Sequence, residues 1–176
     1  MAETHIFCAF GHYVVYSMQE PLDKIDRKLL EELQKDCSRS ASDLGKVVGL
    51  SQAACWRRIQ RLDADGYIKK RVAILNEDKI NLSTIVLAHV RLSAHGRANL
   101  DEFSRKIRAL PNVLECFVLL GDPDFFLKVA VEDIYAYERF FFEKLSKIEG
   151  VAEVKSMVTL SRVKNETALP IQAGKY

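Results

Sequence analysis

Residues 51–62 read Ser51-Gln52-Ala53-Ala54-Cys55-Trp56-Arg57-Arg58-Ile59-Gln60-Arg61-Leu62, and this stretch decides the fold. Cys55, Ile59 and Leu62 recur at four- and three-residue steps, which on a helix makes one apolar stripe. Ser51 is a good N-cap residue type, and Gly66 stops the pattern. The outward side begins with small or short residues and continues with three arginines. That order suits a helix entering a DNA major groove, where small residues permit close approach and long donors then reach bases and phosphates. Gln52 and Arg57 are the candidates for base edges, with Ser51 and Ala53 at the point of approach. Arg58 and Arg61 suit phosphates, which position a protein without specifying sequence. Trp56 reads either as a contact to the DNA backbone or as packing beneath the segment that follows, and packing is preferred.

Upstream of this stretch, two further helices are expected, the second of them short. Leu22, Ile25, Leu29, Leu30 and Leu33 form an apolar stripe from a cap at Asp23 to a polar break at Ser38-Arg39-Ser40. Ser40 then caps a second helix carrying Leu44, Val47 and Val48, with Asp43 three residues on as a weak capping-box partner. Gly49 tolerates the positive φ of a helix stop, and Leu50 plugs the tight turn. Downstream, residues 67–75 read as a β segment, with Ile68, Val72 and Ile74 apolar and Lys69, Lys70 and Arg71 a basic wing. Three helices and a β-ribbon make a winged helix-turn-helix, here 18–75, followed by a linker over 76–83.

The rest alternates in type. Strands are expected over 84–92, 113–120, 125–131 and 151–163, and helices over 100–110 and 133–148. The order βαββαβ is the ferredoxin-like arrangement, with both helices on one sheet face. The fold class is thus α+β: a winged helix-turn-helix, then a ferredoxin-like domain over 84–164, then a tail over 165–176. In the 114–120 strand both alternation classes are apolar, Phe117 and Leu119 against Cys116, Val118 and Leu120. Helices cover one face only, so the other is expected to be buried against a second copy of the chain.

Composition agrees with two small packed domains. The chain has 176 residues, 48% hydrophobic and 28% charged, with a net charge of only +2. That charge is uneven: from Ser51 to Arg71 there are six basic residues against two acids, whereas from Asp101 to Gly150 there are ten acids against seven bases. A polyanion would therefore meet the first half. No apolar run approaches the ~20 residues of a membrane span. The four cysteines are scattered and form no C-x-x-C pair, which disfavours a zinc site. Three of them sit in apolar patterns, and a reducing cytoplasm is the natural compartment. Residues 1–17 begin with an acid rather than a basic n-region and make a poor signal peptide. They are read as an extension of open status, with Met18 an alternative start.

At this point the residues resemble a known family. Leu22-Asp23-x-Ile25-Asp26-x-x-Leu29-Leu30-x-x-Leu33, then Leu50-Ser51-x-x-x-Cys55-Trp56-Arg57-Arg58-Ile59-x-Arg61-Leu62, then Gly66-Tyr67-Ile68, are similar to the Lrp/AsnC (leucine-responsive, feast-famine) regulators. The second half resembles that family's ligand-binding and oligomerisation module, and Gly121-Asp122-Pro123-Asp124-Phe125 matches its Gly-Asp-x-Asp turn. The resemblance runs from about Leu22 to Lys164. One departure is Cys37-Ser38-Arg39, where many members have Asp-Gly-Arg. The resemblance implies a bacterial-type transcriptional regulator, a homodimer or more often a tetramer of dimers (an octamer). It also implies a pseudo-palindromic promoter site in double-stranded DNA and modulation by an amino-acid effector.

A free amino acid needs acceptors for its ammonium, donors for its carboxylate and a pocket for its side chain. The turn offers Asp122 and Asp124 as acceptors, with N–H groups beside Gly121. Thr159 can donate, and Leu119, Phe125 and Val158 could form an apolar wall. Gly-Asp-Pro-Asp is also simply a good β-turn. The resemblance implies that the matching turn and last-strand positions line a pocket between neighbouring dimers. His89 and His95 read as surface or strand residues, no catalytic arrangement stands out, and no metal or cofactor is expected beyond the effector. Two rival readings are a haem-biosynthesis decarboxylase of the same architecture and a metabolite-sensing regulatory module. The first should have lost the basic face of the third helix, and the second leaves the helix-turn-helix unexplained.

Overall fold

Asp23 starts the first helix by the local chemistry its type provides. Its carboxylate accepts the N–H of Asp26 at 2.7 Å while the Asp26 carboxylate accepts the N–H of Asp23 at 3.3 Å, a reciprocal capping box. The structure is a computed structural model, and it describes residues 6–7, 13–14 and 22–171. The expected extension at 1–17 lies outside the described residues, apart from the short antiparallel pair β1 (Ile6–Phe7) and β2 (Tyr13–Val14).

Three helices follow: α1 (Lys24–Lys35), α2 (Ala41–Val48) and α3 (Gln52–Ala64). Ser40 and Ser51 cap the second and third through the N–H groups of Asp43 and Ala54. Gly49 takes φ 73°, the left-handed conformation that lets the chain turn from α2 into α3. Gly45 is required for a different reason: a Cβ there would stand 2.7 Å from the Leu50 carbonyl oxygen. The core of this unit is Leu29, Leu30, Leu44, Cys55, Ile59 and Leu62, all buried. Fully burying each such side chain stabilises by about 1.5–3 kcal/mol, and the stripe read from 51–62 supplies three of the six.

Residues 67–75 form no strand, contrary to the wing expected there. The reason is that a strand needs a hydrogen-bonding neighbour, and among the described residues none pairs with this segment. Val72, Ile74 and Leu75 are exposed, so the apolar alternation that suggested a strand has no core to serve. The chain instead runs without regular secondary structure to a 3₁₀ turn at Glu77–Ile80.

The second unit spans Ile74–Lys164, while the segment from Asn165 onward groups with the helices of the first. There Leu169 donates its N–H to the Gln34 amide oxygen at 2.6 Å and accepts from the Gln34 amide at 3.1 Å, and Ile171 packs on the helical core.

In the second unit, β3 (Thr84–Leu92), α4 (Ala94–Arg97), α5 (Leu100–Arg108), β4 (Val113–Val118), β5 (Phe125–Val131), α6 (Ile134–Glu143) and β6 (Val151–Val158) build a four-stranded sheet in the order β4-β5-β3-β6, every pairing antiparallel. This is the ferredoxin-like order. Val86, Ala88 and Val90 of β3 and Phe125, Leu127 and Val129 of β5 pack under Phe103 and Ile107 of α5 and Tyr137 and Phe140 of α6. Four elements are shorter than their patterns, and of these α5 stops at Arg108 and β4 at Val118. The last strand ends at Val158, because the Ile85 carbonyl takes both the N–H and the hydroxyl of Thr159 and β3 runs out at Thr84. The last helix gives way to a 3₁₀ turn at Leu145–Lys147. The short α4, capped by Ser93, went unforeseen.

The far face of the sheet carries Leu87, His89, Phe117, Phe126 and Met157, by register. Rings of Phe117 and His89 flank Phe126 at 6.3 and 5.4 Å. On β4 both sides are bare in the single chain: Phe117 is 49% and Val118 52% exposed. Of the two described cysteines read as hydrophobes, Cys55 is buried and Cys116 is exposed. No helix among the described residues is long and apolar enough to cross a membrane.

Candidate functional site

The helix-turn-helix presents α3 with two distinct flanks. Ser51, Gln52, Ala53, Trp56, Arg57 and Gln60 are exposed and recur at three- and four-residue steps, so they share one outward arc. Trp56 is 55% exposed and is not packed beneath the following segment, which was the preferred expectation. Among the described residues no carboxylate is ion-paired with Arg57, Lys69 or Lys70, all exposed.

Arg58 and Arg61 stand elsewhere. Arg58 Nη1 lies 2.5 Å from Asp23 Oδ2 and 2.8 Å from Asp26 Oδ1, and Arg61 Nη2 pairs with Asp26 Oδ2. Asp26 is 1% exposed. Both arginines, expected at phosphates, are thus held against α1 by carboxylates. The Asp23 carboxyl is held below its ordinary value, first by the Asp26 N–H and then, against some burial, by the Arg58 guanidinium. Arg71 is also engaged, with Nη2 2.7 Å from Asp63 Oδ2. Sequence reasoning missed the partners Asp23, Asp26 and Asp63. The signal available was the three-residue spacing of Arg58 and Arg61, which puts both on one helix flank beside a capping box rich in acid.

The expected effector residues come apart in one chain. Val90 pairs with both Phe125 and Val154, whereas Val86 pairs with both Val129 and Val158. The 121–124 turn therefore sits at one end of the sheet, and Val158 and Thr159 sit at the other. Four residues along a strand is roughly 13 Å and two strands across is roughly 10 Å, more than a free amino acid spans. Phe125 is buried at 1% exposure with its ring 4.4 Å from that of Phe103, so it belongs to the core and not to an open wall. Thr159 spends its hydroxyl on the Ile85 carbonyl at 3.0 Å. Leu119, whose N–H bonds the Asp124 carbonyl at 2.8 Å, Gly121 and Asp122 are exposed.

Asp124 is committed inside the chain. Its carboxylate accepts the Leu92 N–H at 2.7 Å and Arg97 Nε at 2.9 Å. Burial works to raise its pKa, but the Leu92 N–H and the Arg97 guanidinium outweigh it and hold the group below its ordinary value. Arg97, on the unforeseen α4, is the partner that sequence gave no means of assigning.

A cleft of about 400 Å³ lies between α6 and β6, lined by Tyr135, Tyr137, Phe142, Val154 and Ser156, and none of the expected effector residues lines it. Among the described residues no group of three or more His, Cys, Asp or Glu side chains is placed to hold a metal ion.

Comparison with known proteins matches the AsnC-type helix-turn-helix domain over residues 22–63 and the Lrp/AsnC ligand binding domain over residues 85–169. Among curated proteins, the chain is 36% identical over 154 residues to a glutamate uptake regulatory protein of Zymomonas mobilis, covering 88% of this chain and 93% of that one. Among solved structures, an AsnC family transcriptional regulator from Agrobacterium tumefaciens superposes with TM-score 0.81 at 39% identity, covering 85% of this chain and 97% of that one. A transcriptional regulator from Neisseria meningitidis, solved in complex with L-Met, superposes with TM-score 0.82 at 30% identity, covering 86% and 97%.

Proposed function

Because the chain belongs to the Lrp/AsnC family of transcriptional regulators, we propose that it reads a pseudo-palindromic promoter site in double-stranded DNA through α3, under the control of an amino acid bound by its second domain. The observation that carries the reading is the outward arc of α3, where Gln52, Ala53, Trp56 and Arg57 stand exposed after the Gly49 turn. Gln52 and Arg57 read base edges in this proposal, with Trp56 against sugars or a thymine methyl group. Ser51, Lys69, Lys70 and Arg71 contact phosphates, Arg71 after leaving Asp63.

The effector is an amino acid bound between subunits. Its pocket combines Leu119, Gly121 and Asp122 of one chain with Val158 and Thr159 of a neighbour. Separation of these two groups by the length of the sheet supports this, because one chain cannot bring them to one ligand. Phe125 and Asp124 shape the turn from within. The bare β4 and the far sheet face support a homodimer and a higher assembly such as an octamer. The neisserial structure with L-Met supports an amino acid as the ligand class. We read the protein as cytoplasmic and as a regulator, not as a decarboxylase or a sensing module alone, since α3 keeps its exposed arginine.

A gel shift on duplexes selected by this chain from a random pool, repeated over a salt series and with each of the twenty amino acids, tests the proposal. Binding that weakens as salt rises, because counterions are released, and that one amino acid modulates is the expected result. Salt-independent or absent binding overturns it.

A further inference from the structure

We propose that Asp26 is a positioning residue for DNA reading, and that Arg58 and Arg61 are its internal counter-ions and contribute nothing to phosphate neutralisation. This rests on α3 being the reading helix, as proposed above.

The geometry carries the argument. Asp26 is 1% exposed, and each of its carboxylate oxygens accepts a different arginine: Oδ1 takes Arg58 at 2.8 Å and Oδ2 takes Arg61. A buried carboxylate has no water to replace these partners, so losing one is far more costly than losing an exposed pair. Asp23 Oδ2 adds a second carboxylate to Arg58 at 2.5 Å. Asp26 is itself fixed on α1 by the capping box, with its oxygen 3.3 Å from the Asp23 N–H. The two arginines are three residues apart, hence neighbours on one flank of α3. Two charge-assisted bonds from one anchored carboxylate to that flank fix the roll of α3 about its own axis, which the apolar contacts of Ile59 and Leu62 leave softer. Roll decides which side chains face outward, so Asp26 sets the aim of Gln52, Trp56 and Arg57.

Two consequences separate this from a surface role for the arginines. In Asp26→Asn Arg61 loses the counter-charge that Asp26 supplies and becomes available to a phosphate, while Arg58 keeps Asp23. The ratio of specific to nonspecific affinity should then fall about tenfold, while the slope of log K against log salt steepens by about 0.9 for the one phosphate gained. In Arg58→Gln the slope should stay at the wild-type value even though specific affinity falls.

The experiment measures binding of the full-length chain to a duplex selected from a random pool and to a scrambled duplex of equal length, at five salt concentrations, for wild type, Asp26→Asn and Arg58→Gln. Side-chain ¹⁵N spectra of the wild-type guanidinium groups are recorded with and without the selected duplex, a readout that needs no variant to fold. The proposal expects Arg57 signals to move and Arg58 and Arg61 signals to stay. A slope shallower by about 0.9 in Arg58→Gln, or movement of the Arg58 signal on adding DNA, overturns it. So does Asp26→Asn with a lowered melting temperature but an unchanged specificity ratio, which would make the clamp structural only. Absence of salt-dependent binding by the wild-type chain is a different failure, that of the DNA-reading proposal, and takes this inference with it.

Discussion

The carboxylate of Asp124 accepts the backbone N–H of Leu92 at 2.7 Å, tying the turn between β4 and β5 to the last residue of β3. With Arg97 Nε on its other oxygen at 2.9 Å, this side chain holds three segments together from one position. A residue that sequence reasoning placed in the effector pocket is thus a strut for the turn that would frame it.

The pH dependence follows from that strut. The folded-state pKa of Asp124 lies below its ordinary value of 3.8, so its contribution is present above that value and is lost as pH falls through the lower folded pKa. Asp124→Asn should destabilise the second unit by about 1.5 kcal/mol at neutral pH, the scale of a charge-assisted hydrogen bond. The difference from wild type should shrink toward zero as pH is lowered below the ordinary carboxylate range. Urea unfolding at a series of pH values measures it, and a difference that is constant with pH contradicts the account.

Arg57 and Lys70 should behave differently on DNA. Arg57→Ala should weaken binding to the selected duplex by about 1–3 kcal/mol, the scale of a bidentate base contact, and relax the preference at the bases it reads. Lys70→Ala should weaken all duplexes alike and reduce the salt slope by about 0.9. Competition binding over a salt series distinguishes the two patterns, and equal losses on both duplexes for Arg57→Ala would refute the assignment.

The tail contributes to the helical unit. Removing residues 165–176 takes away the paired hydrogen bonds of Leu169 with Gln34 and the packing of Ile171. The first unit should lose about 1–2 kcal/mol, mostly through exposure of the apolar core surface that Ile171 packs against. The single tryptophan lies in α3, so Trp56 fluorescence during urea unfolding reports on this unit directly. An unshifted fluorescence midpoint would show that the tail adds nothing.

Gly49→Ala isolates the turn. The residue has φ 73°, and a Cβ added there would meet nothing within 4 Å, so the cost of the substitution is conformational and comes from no clash with a neighbour. About 1 kcal/mol of destabilisation is expected, with the fold and DNA specificity retained. Thermal unfolding and the selected-duplex affinity together check this.

How much of this was legible in sequence depends on the range of the forces involved. The stripe of Cys55, Ile59 and Leu62, the caps Asp23, Ser40 and Ser51 and the Gly49 stop were readable because periodicity and capping act within a few residues. The wing failed for the complementary reason. Alternation in 67–75 shows that a segment could be a strand, but a strand exists only when a second one bonds to it. For the candidate sites, side-chain type was legible and commitment was not.

The helix that reads 51–62 therefore has an apolar stripe determined by sequence alone, since a 3.6-residue period sorts buried from exposed without reference to the rest of the chain. The order βαββαβ was likewise legible from patterning, whereas its sheet exists through the long-range pairing of β3 with β5 and β6. Only tertiary structure decided that Arg58 and Arg61 face Asp26 while Arg57 faces outward, and that Asp124 is spent on Leu92 and Arg97. Three arginines within five residues are chemically alike. Which of them is free for a partner depends on carboxylates 32 to 35 residues away, and only folding brings those into range.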